Sequence, residues 1–250
     1  MSLIKTTIQY LNNIAWLSPD GCDFMVGAHV DIYRINISSN LMFQKSFLSI
    51  MHSNEIERSE RYLRVVDKNR YIVSRGALRN ILGNYLNQEP ASVQFKIGAN
   101  KKPHLINTGK TTVKYNISHS GDWILLAIAN SEIGADIEFI AHDFIYKDII
   151  NDYFSKEEVG YIMQDQSIER FYLLWTRKEA LTKATGKGLD DNLQAIPSLA
   201  GVHYGEGNLA TLQNNWMISS FKLNNNYMAS VAYNSSVKNI RFMDVEFPEN

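Results

Sequence analysis

Along this chain, apolar residues at Leu78, Ile81, Leu82, Tyr85 and Leu86 keep the three, four, seven, eight spacing of one buried helix face. Pro90 lies just beyond as a stop signal. The helical pattern begins upstream at Asn54, where Asn54 and Glu57 have the spacing of a capping box. Earlier, Val30 to Ile37 alternates apolar and polar residues with one phase slip, which predicts a strand. Val113 to Ile117 and Trp123 to Ala129 read as strands around the turn-rich run Ser118-His119-Ser120-Gly121-Asp122. A second break at Asn130-Ser131-Glu132 precedes a strand from Ile133 to Phe139. Helices follow near Ser155 and from Ser167 to about Ala184, the latter ended by Gly186. After Pro197 the chain turns β-rich, with Trp216 to Leu223 and Tyr227 to Tyr233 joined by three asparagines that tolerate a left-handed turn.

This order, strand–helix–strands given twice, predicts an α+β protein built of two α/β halves, 1–130 and 131–250. No close sequence repeat relates them. With 25 basic and 26 acidic side chains the formal charge is −1, which argues against a nucleic-acid partner. Cys22 is the single cysteine, so an intrachain disulfide is excluded. It reads as a structural thiol, with a catalytic thiol as the alternative. No apolar run approaches the ~20 residues that span a bilayer, so no membrane role is expected. The opening residues lack the apolar core of a secretory signal, and a cytoplasmic location is the default expectation.

Three short stretches concentrate candidate chemistry. Asp136 and Glu138 lie two apart on the predicted strand, so both carboxylates share one face while Ala135 and Ile137 point the other way. Taken alone, such a pair is most often a solvated strand face. Beside a phosphate-bearing substrate it would suit Mg²⁺, which takes few protein carboxylates and keeps waters. On the next stretch Glu179 and Lys183 are neighbours on one helix face, one turn after Trp175. A surface ion pair would explain those two. It would not explain Trp175, Lys178, Glu179, Lys183, Lys187 and two glycines within one short run. Third, Arg61, Arg64, Lys68, Arg75 and Arg79 fall on one arc if a single helix carries them, with Arg58 at its edge. That stripe is either an anion site or a solvated face, and a helix start capped by Asp67 would reset its phase. His119, between two serines, could donate to a phosphate, with Lys101 and Lys102 upstream as further cations.

Taken in order, Lys102-Pro103, Asn116 to Gly121, Gly134 to Glu138, Phe154 to Glu158 and Trp175 to Leu189 resemble the Sfp-type 4′-phosphopantetheinyl transferases. The resemblance runs from about Asn54 to Leu189. One departure is Lys101, where members often have glycine. It implies a pseudo-dimer of two similar α/β halves with the active site in the cleft between them. The implied reaction is Mg²⁺-dependent transfer of the phosphopantetheine arm of coenzyme A to a serine of an apo acyl or peptidyl carrier protein, releasing 3′,5′-bisphosphoadenosine. By motif match Asp136, Glu138 and Glu179 would hold the metal. Lys178 and Lys183 would contact phosphates, Lys183 also serving the leaving group. Glu179 would be general base, metal ligand or both. Lys102, Ser118, His119 and Arg75 would bind the 3′-phosphoadenosine end, with Arg58 and Arg61 in the places of two lysines. The first half would thus contact coenzyme A, and the second would supply metal and catalytic residues. A monomer is expected, since the fold would contain its own pseudo-dimer interface. Two other readings stay open: a non-catalytic coenzyme A or carrier-binding module on the same fold, and an unrelated Mg²⁺-dependent nuclease or nucleotidyl transferase.

Overall fold

The computed structural model describes residues 4–98, 103–106, 112–186, 193–205 and 215–247. Among these, the first half carries β1 (Ile4–Tyr10), β2 (His29–Asn36), α1 (Gln44–Ile50), α2 (Ser53–Glu60) and α3 (Val65–Leu86). Two short strands, β3 (Phe95–Ile97) and β4 (Pro103–Leu105), precede the hairpin β5 (Lys114–Ser120) and β6 (Trp123–Ala129). The second half has β7 (Ile133–Phe139), α4 (Ile150–Tyr153), α5 (Lys156–Met163) and α6 (Ile168–Thr185). It ends with β8 (Gly201–Gly205), β9 (Trp216–Asn224), β10 (Tyr227–Asn234) and β11 (Asn239–Val245).

The two halves repeat one plan. In the first sheet the order is β11-β2-β6-β5, and in the second it is β7-β10-β9-β1-β8. Strand, long helix and hairpin thus give β2-β6-β5 in one and β7-β10-β9 in the other. The terminal strands break the division at 130/131: β1 pairs parallel with β9 of the second sheet, while β11 pairs parallel with β2 of the first. Each end of the chain completes the other half's sheet.

Alternation explains the layering. In β6, Ile124, Leu126 and Ile128 pack toward α3 with Leu78, Ile81 and Leu82, whereas Leu125, Ala127 and Ala129 join Ala135, Ile137, Phe221 and Val231 between the sheets. A period of two puts successive side chains into two different cores. On the outer side of the second sheet, Ala180, Leu181 and Ala184 of α6 cover Ile4, Ile218 and Ala232. The layers are therefore α3, sheet, sheet, α6. Each fully buried aliphatic contributes about 1.5–3 kcal/mol. Gly134 makes the α6 approach possible, because a Cβ there would sit 2.0 Å from the Ala180 carbonyl oxygen.

Several local expectations are corrected. The capping box at α2 is His52 with Glu55, two residues before the anticipated pair. Glu55 is held there because it also takes Arg75 and Arg79. The basic run is not one helix: α2 stops at Glu60 and Arg64, in extended conformation, is the N-cap of α3. The arc that assumed continuous helical phase through Arg61 and Arg64 does not exist. Strand β5 continues through Ser120, so Ser118 and His119 are strand residues and the turn is confined to Gly121-Asp122, with Gly121 at φ 53°. The β9–β10 hairpin forms without a left-handed residue among the three asparagines, with its register shift at Tyr227/Met228. No helix among the described residues is long and apolar enough to cross a membrane.

Candidate active site

The edge strands β5 and β7, one from each sheet, run side by side and are joined through side chains. Asn116 Oδ1 accepts from the Ala135 N–H at 2.9 Å. Ser118 Oγ donates to Asp136 Oδ1 at 3.0 Å, and Ser120 Oγ donates to Glu138 Oε2 at 3.0 Å. Ser120 Oγ also accepts from the Phe139 N–H at 3.0 Å. Residues 116, 118 and 120 share one face of β5 by the two-residue period. The opposite face sends Ile117 and His119 toward the first half's surface cavity.

Asp136 and Glu138 share the face of β7 that looks toward α6. Lys183 of α6 donates to Asp136 Oδ1 at 2.6 Å and to Ser118 Oγ at 3.1 Å. Glu179, one turn earlier, is the third carboxylate: the Asp136 charge acts on it, and its own charge acts on Glu138. Trp175, a turn before Glu179, is held in an aromatic cluster with Phe154 and Phe171, which fixes the rotation of α6. Gly186 ends that helix in the left-handed conformation at φ 69°.

Burial dominates the electrostatics. Asp136 is almost wholly enclosed, which raises its carboxyl above the ordinary range against the pull of Lys183. Glu138 is pushed up to about 7 by burial and then by Asp136. Burial and Asp136 raise Glu179 as well. Two oxygens in this group, Asp136 Oδ2 and Glu179 Oε1, are buried with no hydrogen-bond partner among the described residues. Clustered anions with desolvated, unsatisfied oxygens are costly unless a cation joins them, so this donor set fits a hard divalent ion. Among the described residues, no three acidic, imidazole or thiol groups are already arranged as a metal cage. The Lys183 ammonium is the cation on Asp136.

A cavity of about 300 Å³ opens on the first half, lined by Arg58, Tyr62, Tyr71, Arg75, Phe95 and His119 among others. Arg58 lies over the Tyr71 ring at 5.4 Å, and Arg75 over Phe95 at 4.4 Å. Arg75 is already ion-paired to Glu55, which also takes the buried Arg79. His119 is held below the usual histidine value, first by desolvation from its neighbours and then by the cations Arg70 and Lys183.

Of the residues singled out from sequence, Ser118, Asp136, Glu138, Glu179 and Lys183 come together, with His119, Arg58 and Arg75 around the adjoining cavity. Arg61 is exposed at the end of α2 and does not line that cavity. Lys102 lies outside the described residues, as do Lys101 and Lys187. Lys178 is a correction. It is buried, ion-paired to Glu158 at 2.9 Å, and donates to the carbonyls of Leu193 and Ile196. Its neighbour Glu179 stands 100° further round the helix, and Lys178 is turned to Glu158 rather than to the carboxylates of β7. Two contacts are not apparent from the sequence. Ser120 is visible only once β5 is known to extend past Ser118, and Arg70 only once the helix phase restarts at Arg64.

Comparison with known proteins covers these segments. Residues 132–232 match the model of the 4′-phosphopantetheinyl transferase superfamily, and residues 39–131 match that of the 4′-phosphopantetheinyl transferase N-terminal region. The chain is 34% identical over 200 residues to slr0495 of Synechocystis sp., a protein assigned by name to the 4′-phosphopantetheinyl transferases, covering 75% of this chain and 80% of the relative. It is 28% identical over 179 residues to the 4′-phosphopantetheinyl transferase HetI of Nostoc sp., covering 70% and 76%. To the transferase Sfp of Bacillus subtilis it is 28% identical over 163 residues, covering 63% and 71%.

Proposed function

The chain belongs to the 4′-phosphopantetheinyl transferase superfamily, and from that premise we propose that it moves the phosphopantetheine arm of coenzyme A to a serine of an apo acyl or peptidyl carrier protein. The by-product would be 3′,5′-bisphosphoadenosine. The observation that carries this reading is the grouping of Asp136, Glu138 and Glu179 around Lys183, which bonds the first and acts electrostatically on the others, with two buried carboxylate oxygens that have no hydrogen-bond partner among the described residues.

In the proposed reaction the serine oxygen attacks the β-phosphorus of coenzyme A, and the bond from that phosphorus to the bridging oxygen breaks. Glu179 would accept the serine proton, its raised carboxyl making it a stronger base near neutrality than an ordinary glutamate. Lys183 would leave Asp136 to donate to the oxygen of the departing bisphosphate, stabilising charge where it develops. Asp136, Glu138 and Glu179 would hold Mg²⁺, which supplies charge neutralisation at the pyrophosphate when bound. The cavity between Arg58, Tyr71 and His119 would take the 3′-phosphoadenosine end, the first half thus contacting coenzyme A and the second supplying the reacting groups. The site lies where the two sheets' edges meet, which supports placing the reaction in the cleft between halves. We place the enzyme in the cytoplasm as a monomer, where coenzyme A and carriers are met.

Mass spectrometry of apo carriers incubated with coenzyme A and Mg²⁺ tests this. A gain of one phosphopantetheine arm, abolished in Asp136→Ala, is expected. No gain with any acyl or peptidyl carrier would overturn the reading.

A further inference from the structure

The junction of α2 and α3 carries an exposed aliphatic patch. Leu63, Val65 and Val66 are 102%, 73% and 61% exposed, three large aliphatics within four residues. Contiguous exposed apolar groups rimmed by polar ones mark interaction surfaces. The rim here is cationic. Glu60 is used by Lys68 at 2.8 Å, and Asp67 by Arg70. Among the described residues, neither Arg61 nor Arg64 has a carboxylate partner, and Arg58 rests on Tyr71. An aliphatic centre inside uncompensated arginines has the anatomy of a protein interface whose partner is acidic.

The patch also borders the site. Arg58 and Tyr62, on its near side, line the cavity that reaches His119. Asp67 and Arg70, on its far side, act electrostatically on His119, as does Lys183. A macromolecule delivering a hydroxyl to Lys183 and Glu179 would extend across this break.

We infer that residues 61–66 are the docking surface for the carrier protein, received through an acidic and apolar face of that partner. This rests on the transferase reading above. An anionic membrane fits less well, because the aliphatics are confined to a helix start and the residue before its cap, beside a cavity, rather than running along one side of an amphipathic helix.

The test uses Leu63→Asp/Val66→Asp and, separately, Arg64→Glu in the full chain, with thermal melts to establish that each folds. Affinity for an apo acyl carrier protein is measured by calorimetry without coenzyme A, alongside steady-state transfer. The expected result is at least tenfold weaker carrier binding and a matching rise in KM for carrier, with kcat and coenzyme A affinity within twofold of the parent. Carrier binding lost in the variants while the parent transfers no arm would keep the surface and refute the reaction. Unchanged carrier affinity and KM in folded variants would refute the surface alone. No carrier binding by the parent would refute both. Sedimentation with phosphatidylglycerol vesicles that depends on Leu63, without any change in carrier affinity, would reassign the patch to membranes.

Discussion

The Lys183 ammonium sits 2.6 Å from Asp136 Oδ1, with Ser118 Oγ within hydrogen-bonding distance of both. The carboxylate face of β7 therefore carries its own cation, supplied by the same helix as Glu179. Replacing Lys183 with methionine leaves Asp136 buried without its ion partner. Because Lys183 is 30% exposed, the cost should be roughly 1–3 kcal/mol, below the ~3–5 kcal/mol of a fully buried pair. Urea melts without metal would measure it. Added Mg²⁺ should raise the variant's stability more than the parent's, and transfer should fall by about 10²–10⁴-fold.

Glu138 gives the pH dependence its sign. Its folded-state pKa, about 7, lies above the ordinary 4.5, so the folded protein holds this proton more tightly than the unfolded chain. That contribution is fully present below pH 4.5 and is lost as pH rises through 7. In chelator, Glu138→Gln should flatten the decline in melting temperature across this window. Mg²⁺ should flatten it in the parent.

Lys178 should behave as a folding residue. Lys178→Ala strands Glu158, which also accepts from the Ser155 N–H, from the Ser198 N–H and from Ser198 Oγ. A loss of about 3–5 kcal/mol is expected by urea unfolding. Coenzyme A affinity of the folded fraction, measured by calorimetry at low temperature, should stay within twofold.

Gly134→Ala tests the seat of α6. The added methyl carbon would meet the Ala180 carbonyl and the Ala184 amide at 2.0 and 2.3 Å, both backbone atoms that cannot rotate away. Overpacking should cost about 1–3 kcal/mol or more. The forced shift of Glu179 relative to Asp136 should cut kcat beyond what the lost stability explains, as a melt and a rate on one sample would reveal.

How far the sequence was legible follows from the range of the interactions. Strands β6, β7, β9 and β10 lie close to their expected limits because local alternation and nearby turns define them. The grouping of these carboxylates with Lys183 was legible because Asp136/Glu138 and Glu179/Lys183 obey the strand and helix periods. Lys178 misled because adjacency in a motif hides a 100° rotation. The arginine stripe misled because Arg64 restarts the helix, and nothing local in Arg61 to Val66 announces that. The buried cluster in which Asp31 takes Arg241 at 2.5 Å and also Tyr85 was invisible, since its members lie up to 210 residues apart.

The exchanged end strands have a consequence for biosynthesis. β1 leaves the ribosome well before its partners, since its parallel neighbour β9 and antiparallel neighbour β8 are translated only some two hundred residues later. Until then Ile4 and Ile8 have no sheet to join, and β2 likewise waits for β11. The nascent polypeptide therefore holds two unsealed edges until β8, β9 and β11 have emerged, and only then can both sheets lock shut.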